Sequence, residues 1–259
     1  MENITTYNNI AVLIDADNTE IGKMKSLIDK ISTYGRITTK RVYGNWKKTS
    51  LKNWEEVIKN LAFNAQQQFD YVKGKNVTDI ALVIDAMELL HTGRYDAFVI
   101  VSSDSDYTPL NIKLRETGIF VVGAGKQTSS DSFKRSCDDF INIETLADEQ
   151  ARTEDIIVPQ KDEITNEESS EPISEEEMDL HRLLKDGTEV EHWLDEDGFV
   201  NIASVGQYIK RVRPDFDIKK FGVEKLPEFI ALHSERYEMK NSKKGRVTIR
   251  SYRLKKGSI

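Results

Sequence analysis

The chain has 259 residues, 38% of them hydrophobic, and a net charge of −7, which is enough apolar material for one large domain or a medium one plus a small one. No apolar run approaches the about 20 residues of a membrane span, the polar start MENITTYNNI lacks the basic and apolar regions of a signal peptide, and the single Cys137 cannot form an internal disulfide; these features predict a cytoplasmic protein with no membrane association. One Cys and four His also argue against a zinc site of the usual ligand spacing.

In chain order, NIAVLID is a continuous apolar run, as expected of a central parallel strand buried on both faces. Ile21, Met24, Leu27, Ile28 and Ile31 recur at helical spacing, and Gly35 is placed to end that helix. RITTKRVY predicts a second strand. Leu51, Trp54, Ile58, Leu61 and Ala65 predict a second helix, and QFDYV a short strand. Thr78 can cap a third helix carrying Ile80, Leu82, Val83, Met87 and Leu90. DAFVIVSS predicts a strand and YTPLNIKLRETG a helix closed by Gly118, and GIFVVGAG and DFINI supply the last strands. This alternation predicts an α/β fold, a parallel sheet flanked by helices, with right-handed crossovers.

The segment from Gln150 to Glu177 is acidic and poor in aromatics, and it reads as a solvated linker. Beyond it the pattern changes. A helix around Glu175–Leu194 is followed by DGFVNIASVGQYIKRVRPDFDIKKFG, by the amphipathic VEKLPEFIALH, and by RYEMK and RVTIRSYRL around the turn-rich NSKKG. The last two runs alternate like a hairpin, which predicts a small winged-helix-like domain. The expected boundaries are 1–148 for the α/β domain, 149–177 for the linker and 178–259 for the C-terminal domain. Charge is uneven along the chain. Residues 1–150 hold 18 basic and 21 acidic side chains, residues 151–180 hold 2 and 11, and residues 206–259 hold 15 and 6.

In an open parallel sheet, ligands bind beyond the carboxyl ends of the strands. Asp15, Asp17 and Asn18 follow the first strand, and Asp104 and Asp106 follow AFVIV. Asp79 opens the third helix, so all of these are expected on one rim. Like charges so gathered repel, and a cation relieves them. Mg²⁺ or Mn²⁺ fits oxygen donors and bridges to phosphate oxygens. Read singly, each acid has a structural role as a helix cap, a first-turn acid or a loop acid. Asp70, Asp85, Asp96, Asp131, Asp138 and Asp139 are expected to be surface acids or caps. The run D-A-D-N-T also fits the opening of a haloacid-dehalogenase phosphatase. However, the acids in SSDSD arrive too early for that pattern, and its helical cap is missing.

The segments IAVLIDADN, VKGKNVTDIALVIDAMELL, YDAFVIVSSDSDYTPLNIKLRETGIFVVGAG and SCDDFINIE resemble the NYN domain in its LabA-like (DUF88) branch, over about residues 8–145. The resemblance implies a PIN-like, Rossmannoid sheet with a carboxylate pocket for Mg²⁺ or Mn²⁺, usually acting on RNA. Matched by motif, Asp15 and Asn18 are the first-strand pair, Asp79 the acid at the helix start, and Asp104 and Asp106 the strand-end pair. Asp17 falls where the family varies. Ser102 and Ser103 would position phosphate or an acid. Residues 180–254 resemble an OST-HTH (LOTUS) domain through Gly198, Val205, Gly206, the PDFD turn, Phe221–Gly222 and Leu226. That implies an RNA-binding module or, in some branches, one that binds protein.

The reading is therefore a metal-dependent ribonuclease, an endonuclease. Asp15, Asp79, Asp104 and Asp106 would hold the metal, with Asn18 completing the site, and single-stranded or structured RNA would be the partner. Lys73 and Lys75 would touch substrate phosphates. Lys210, Arg211, Arg213, Lys219, Lys220, Lys225, Lys243, Lys244 and Arg246 would bind nucleic acid through phosphates. The alternatives are a non-catalytic adaptor that binds RNA or protein and, more weakly, the phosphatase.

Overall fold

The structure is a computed structural model and describes residues 6–69, 77–147, 174–190, 193–244 and 247–255. The chain divides into two compact units, from Thr5 to Val158 and from Pro159 onward, the second taking in the first four residues as well. Lys73, Lys75, Asp70 and Arg246 lie outside the described residues.

The first unit is built on six parallel strands: β1 Tyr7–Asp15, β2 Gly35–Gly44, β3 Asn64–Gln67, β4 Ala97–Val101, β5 Phe120–Gly125 and β6 Asp139–Asn142. Their order is β3-β2-β1-β4-β5-β6, with every pairing parallel. Strand order reverses between β1 and β4, and such a reversal opens a crevice at the carboxyl ends of the two strands. The helices are α1 Met24–Tyr34, α2 Trp54–Asn60, α3 Val77–His91, α4 Thr108–Glu116 and α5 Asp131–Arg135.

Side-chain parity along β1 explains the two-sided core. Ile10, Val12 and Ile14 face one way and pack with Met24, Leu27 and Ile31 of α1 and with Trp54 of α2. Ala11 and Leu13 face the other way, onto Leu82, Ala86 and Leu89 of α3 and Leu110 and Leu114 of α4. All five of these β1 side chains are fully buried, which is why NIAVLID shows no polar alternation. The helix α1 runs straight into β2 at Gly35. A Cβ at that position would sit 1.9 Å from the Tyr7 carbonyl oxygen, so only glycine fits there.

Local readings failed in a few places. The second helix stops at Asn60, and Ala65 lies in β3, where pairing with Val42 overrides the helical spacing. The short α5, started by the Ser130 cap, has too few residues to show a period. Asp85 is not a surface acid: on α3 it bonds Arg41 and the Tyr43 hydroxyl. Asp96 and Asp138, by contrast, are exposed as expected, and they accept from the backbone amides of Asn8, Asn9 and Val121.

The second unit holds helices α6 Glu175–Thr188, α7 Ile202–Val212 and α8 Leu226–Leu232, and strands β7 Val200–Asn201, β8 Tyr237–Lys244 and β9 Val247–Leu254. The strands form an antiparallel sheet in the order β7-β9-β8. Its core gathers Leu180, Leu184, Val205, Tyr208, Ile209, Phe229 and Tyr252. The helix α6 starts inside the acidic stretch, where Ser174 caps it by accepting from the Glu177 amide, and it ends before Leu194. Asn241–Lys244, read as a turn, extends β8.

Candidate functional site

Asp15 ends β1, and its parity directs the side chain to the α3 side of the sheet. It is completely buried. Oδ1 accepts from the Asp17 amide at 3.1 Å, and Oδ2 accepts from Asn18 Nδ2 at 2.8 Å and Ser102 Oγ at 3.1 Å. Ser102 follows β4, and its Oγ in turn accepts from the Asp104 amide at 3.1 Å. One hydroxyl thus ties the two strand ends together. Thr19 does the same from the loop, its Oγ1 lying 2.6 Å from the Asp15 carbonyl oxygen and 3.3 Å from that of Val101. Ser103 Oγ accepts from the Lys126 amide at 3.2 Å.

Asp79 sits in the first turn of α3, half-buried, where a negative charge suits the helix end. Tyr107, fully buried in the turn after β4, donates its hydroxyl to Asp79 Oδ1 at 2.8 Å. The same hydroxyl interacts with Asp15, and the two carboxylates together with burial push its pKa far up, so Tyr107 remains a donor. Asp104 caps the turn Ser105–Tyr107 by accepting from the Asp106 amide at 2.9 Å. Asp106 and Asn18 are exposed, and Asp17 is salt-bridged to Lys48 at 3.1 Å.

Electrostatics join these groups into one site. Burial, reinforced by Asp79, raises the Asp15 pKa against the hydrogen bonds that lower it. Burial also raises the Asp79 pKa, with Asp104, Asp106 and Asp17 adding to the effect. The five acids are thus close enough to feel one another at the switch in strand order. The sequence missed Tyr107, Thr19 and the Lys48 partner of Asp17.

All the donors here are hard oxygens, which suit Mg²⁺ or Mn²⁺. Among the described residues, three ligand atoms within 4.8 Å of one another are found at Glu177, His181 and His233, not at three of these aspartates. That spacing leaves one or two of these aspartates as direct ligands of any one ion, with water between it and the rest, the usual manner of Mg²⁺. A separate hollow of about 570 Å³ is lined by Tyr7, Asp96, Arg115, Phe120 and Asp138. It contains none of the predicted site residues.

In the second unit, Lys210, Lys219, Lys225 and Lys243 are exposed. Arg213 is bonded to Asp179 and Asp215, and Lys220 to Glu176 at 3.0 Å. Arg211 is partly buried, which lowers its pKa. The expected basic surface is therefore smaller than the count of cations, because acids of the same unit take up part of it.

Comparison with known proteins agrees with this architecture. Residues 9–144 match the NYN domain. The chain belongs to the NYN family. Residues 171–249 match the OST-HTH/LOTUS domain, an RNA-binding module. A curated relative, the uncharacterized protein MJ0482 of Methanocaldococcus jannaschii, is 32% identical over 123 residues, covering 45% of this chain and 48% of that protein. The chain thus spans about half the length of this relative. Among solved structures, a protein of unknown function, VPA0982 from Vibrio parahaemolyticus, aligns with a TM-score of 0.45 at 15% identity, over 55% of this chain and 96% of that one. An uncharacterized protein from gene locus NE0665 of Nitrosomonas europaea aligns with a TM-score of 0.26 at 19% identity, over 38% of this chain and 87% of that one. An NYN domain is PIN-like and belongs with nucleases, and here it is joined to an OST-HTH domain. Among the described residues, no helix is long and apolar enough to cross a membrane.

Proposed function

We propose that this NYN protein is a metal-dependent endoribonuclease in which Asp15, Asp79, Asp104 and Asp106 form the reaction site. The OST-HTH domain, in this reading, supplies affinity for RNA. The observation that carries the proposal is the gathering of these acids at the strand-order switch, where Ser102 links buried Asp15 to the Asp104 amide and the Tyr107 hydroxyl holds Asp79 beside them; burial and mutual repulsion then raise the pKa of Asp15 and Asp79. Perturbed acids in a crevice of this kind are a physical mark of reaction sites. When bound, Mg²⁺ or Mn²⁺ supplies a polarised phosphate oxygen and an activated water.

The chain's own residues have separable tasks. Asp15 is fixed by three hydrogen bonds and serves as the rigid anchor. Asp79, half-buried and held by Tyr107, is placed to take the proton of the attacking water at a carboxylate oxygen. Asp104 and Asp106 present charge at the open side. Asn18 orients Asp15 through Nδ2. Lys210, Lys219, Lys225 and Lys243 bind phosphates on the OST-HTH unit.

The phosphatase reading is disfavoured by the same contacts. Its nucleophile would be Asp15, which is buried and already accepts three hydrogen bonds. Its acid would be Asp17, which is paired with Lys48. A binding adaptor is the stronger second reading, because the aspartates do not close to the spacing that three ligands of one ion require.

The deciding experiment is cleavage of labelled single-stranded and duplex RNA under Mg²⁺ or Mn²⁺ titration, beside Asp15→Asn and Asp104→Asn. We expect metal-dependent cutting that falls by at least about 100-fold in either variant. Undiminished cutting by both variants refutes the assignment, and metal uptake without cutting of any substrate establishes the adaptor.

A further inference from the structure

A second group of ligand-type side chains lies in the OST-HTH unit. Glu177 and His181 are four residues apart on α6, so they share one face of the helix. His233 is the residue that ends α8. The ligand atoms of these three side chains all lie within 4.8 Å of one another. His233 Nε2 is 3.4 Å and His181 Nε2 3.9 Å from the same oxygen, Glu177 Oε1. Ligands about 2.0–2.1 Å from a tetrahedral zinc stand about 3.3 Å apart, so the spacing needs little adjustment.

The remaining atoms are arranged as supports. His181 Nδ1 is bonded to the Tyr237 hydroxyl at 2.7 Å, and His233 Nδ1 to Glu235 Oε1 at 3.3 Å. Each partner occupies the far nitrogen of a ring and leaves Nε2 as the ligand atom, which is how metal-binding histidines are usually oriented. His181 is 8% exposed, and its Nε2 is buried without a hydrogen-bond partner. An unpaired buried nitrogen costs free energy unless something else fills that role. The ring is packed between Phe229, at 5.2 Å, and Tyr237, at 5.7 Å, so it is not free to turn the nitrogen to water. Burial, and after it the nearby Arg236, disfavours a positive charge on His181 and keeps the ring neutral. The Arg236 charge also opposes a dication, and the carboxylates of Glu177 and Glu235 beside the two histidines offset it.

We propose that Glu177, His181 and His233 form a zinc site that fastens α6 to the end of α8. Two imidazoles and one carboxylate suit Zn²⁺ better than Mg²⁺ or Mn²⁺. The site joins elements far apart in sequence, so a bound ion would link α6 to the end of α8, with water at the fourth position that the three side chains leave open. It does not depend on the nuclease reading, and it lies in a different unit of the chain.

The test uses the full chain, stripped of metal and titrated with zinc sulfate by calorimetry. Glu177→Gln and His233→Gln are compared with the wild type and with an Asp15→Asn, Asp104→Asn double variant. The wild type and the double variant should bind zinc at this site. Glu177→Gln and His233→Gln should each lose at least about tenfold in affinity, the effect that even a supporting partner of a ligand carries. The histidine side-chain nitrogens of the wild type, followed by NMR, require no variant to fold. One equivalent of zinc should shift Nε2 of both His181 and His233. Unshifted histidines, equal zinc affinity in all variants, or zinc binding lost only in the Asp15, Asp104 double variant would each overturn the proposal.

Discussion

Burying Asp15 completely and Asp79 partly raises both of their pKa values. A raised carboxylate pKa means that the folded state holds the proton more tightly than the unfolded one. Its stabilising contribution is present at about pH 4 and below, and it is lost as pH rises through the folded pKa. At neutral pH these charges therefore work against the fold. Asp79→Asn removes one of them and leaves an oxygen for the Tyr107 hydroxyl. In chelator, this variant should melt about 2 °C above the wild type at pH 7, with the gap closing toward pH 4. Added Mg²⁺ should raise the wild type more than the variant, which has one carboxylate fewer to neutralise. Thermal melts of both proteins across that pH range check this, and a gap of constant size would contradict it. Tyr107→Phe keeps the ring and deletes the donor to Asp79. It should cost about 1 kcal/mol of stability, and the assigned cleavage should fall by about tenfold or more, measured as kcat at saturating metal. The position of Asp15, Asp104 and Asp106 on one rim was legible because they follow apolar strands, and that of Asp79 because it opens a helical run. Tyr107 was not, because an aromatic beside TPL reads as core, which it also is. The Lys48 partner of Asp17 lies 31 residues away, and no local pattern announces it.

At the level of strands and helices, the site depends on how closely β4 and β5 approach at their carboxyl ends. Gly125 ends β5. A Cβ there would meet the Ser102 carbonyl oxygen at 2.6 Å and Ser129 Oγ at 2.8 Å. Gly125→Ala therefore forces backbone apart beside the hydroxyl that links Asp15 to Asp104. The expected loss is about 1–3 kcal/mol, seen as a lower Tm and accompanied by weaker cleavage. A variant as stable and active as the wild type would show that this approach is dispensable. The elements were readable where a pattern ran long, as in the unbroken apolar run of β1, the helical spacing of α1 and α3, and the alternation of the β8–β9 hairpin. They were unreadable where a few residues gained their structure from a neighbour. Ala65 pairs with Val42 in β3, and α5 packs Phe133 against Leu110 and Leu114. The third helix begins with Thr78 buried in its first turn rather than standing before it as a cap.

Across the whole molecule, charge is distributed unevenly between the two units, as the proposed division of labour requires. The net charge of −7 would suggest poor affinity for RNA, yet the C-terminal part is basic and exposes Lys210, Lys219, Lys225 and Lys243. Arg213 and Lys220 are already paired within the unit, so counting cations along the sequence overstates the surface available to phosphates. If the four exposed lysines each contact one phosphate of a single strand, the salt slope is about −0.7 per contact, or about −2.8 in all. Affinity should then fall about 50-fold between 50 and 200 mM salt. Changing all four lysines to alanine in the full chain should flatten that slope and raise KM for cleavage while leaving kcat within about twofold, because the carboxylate site is untouched. Fluorescence anisotropy across the salt series, run beside single-turnover cleavage, separates the two effects. A slope unchanged by the four substitutions would place the RNA contacts elsewhere, and a fall in kcat with KM unchanged would mean that these lysines act on the reaction rather than on binding.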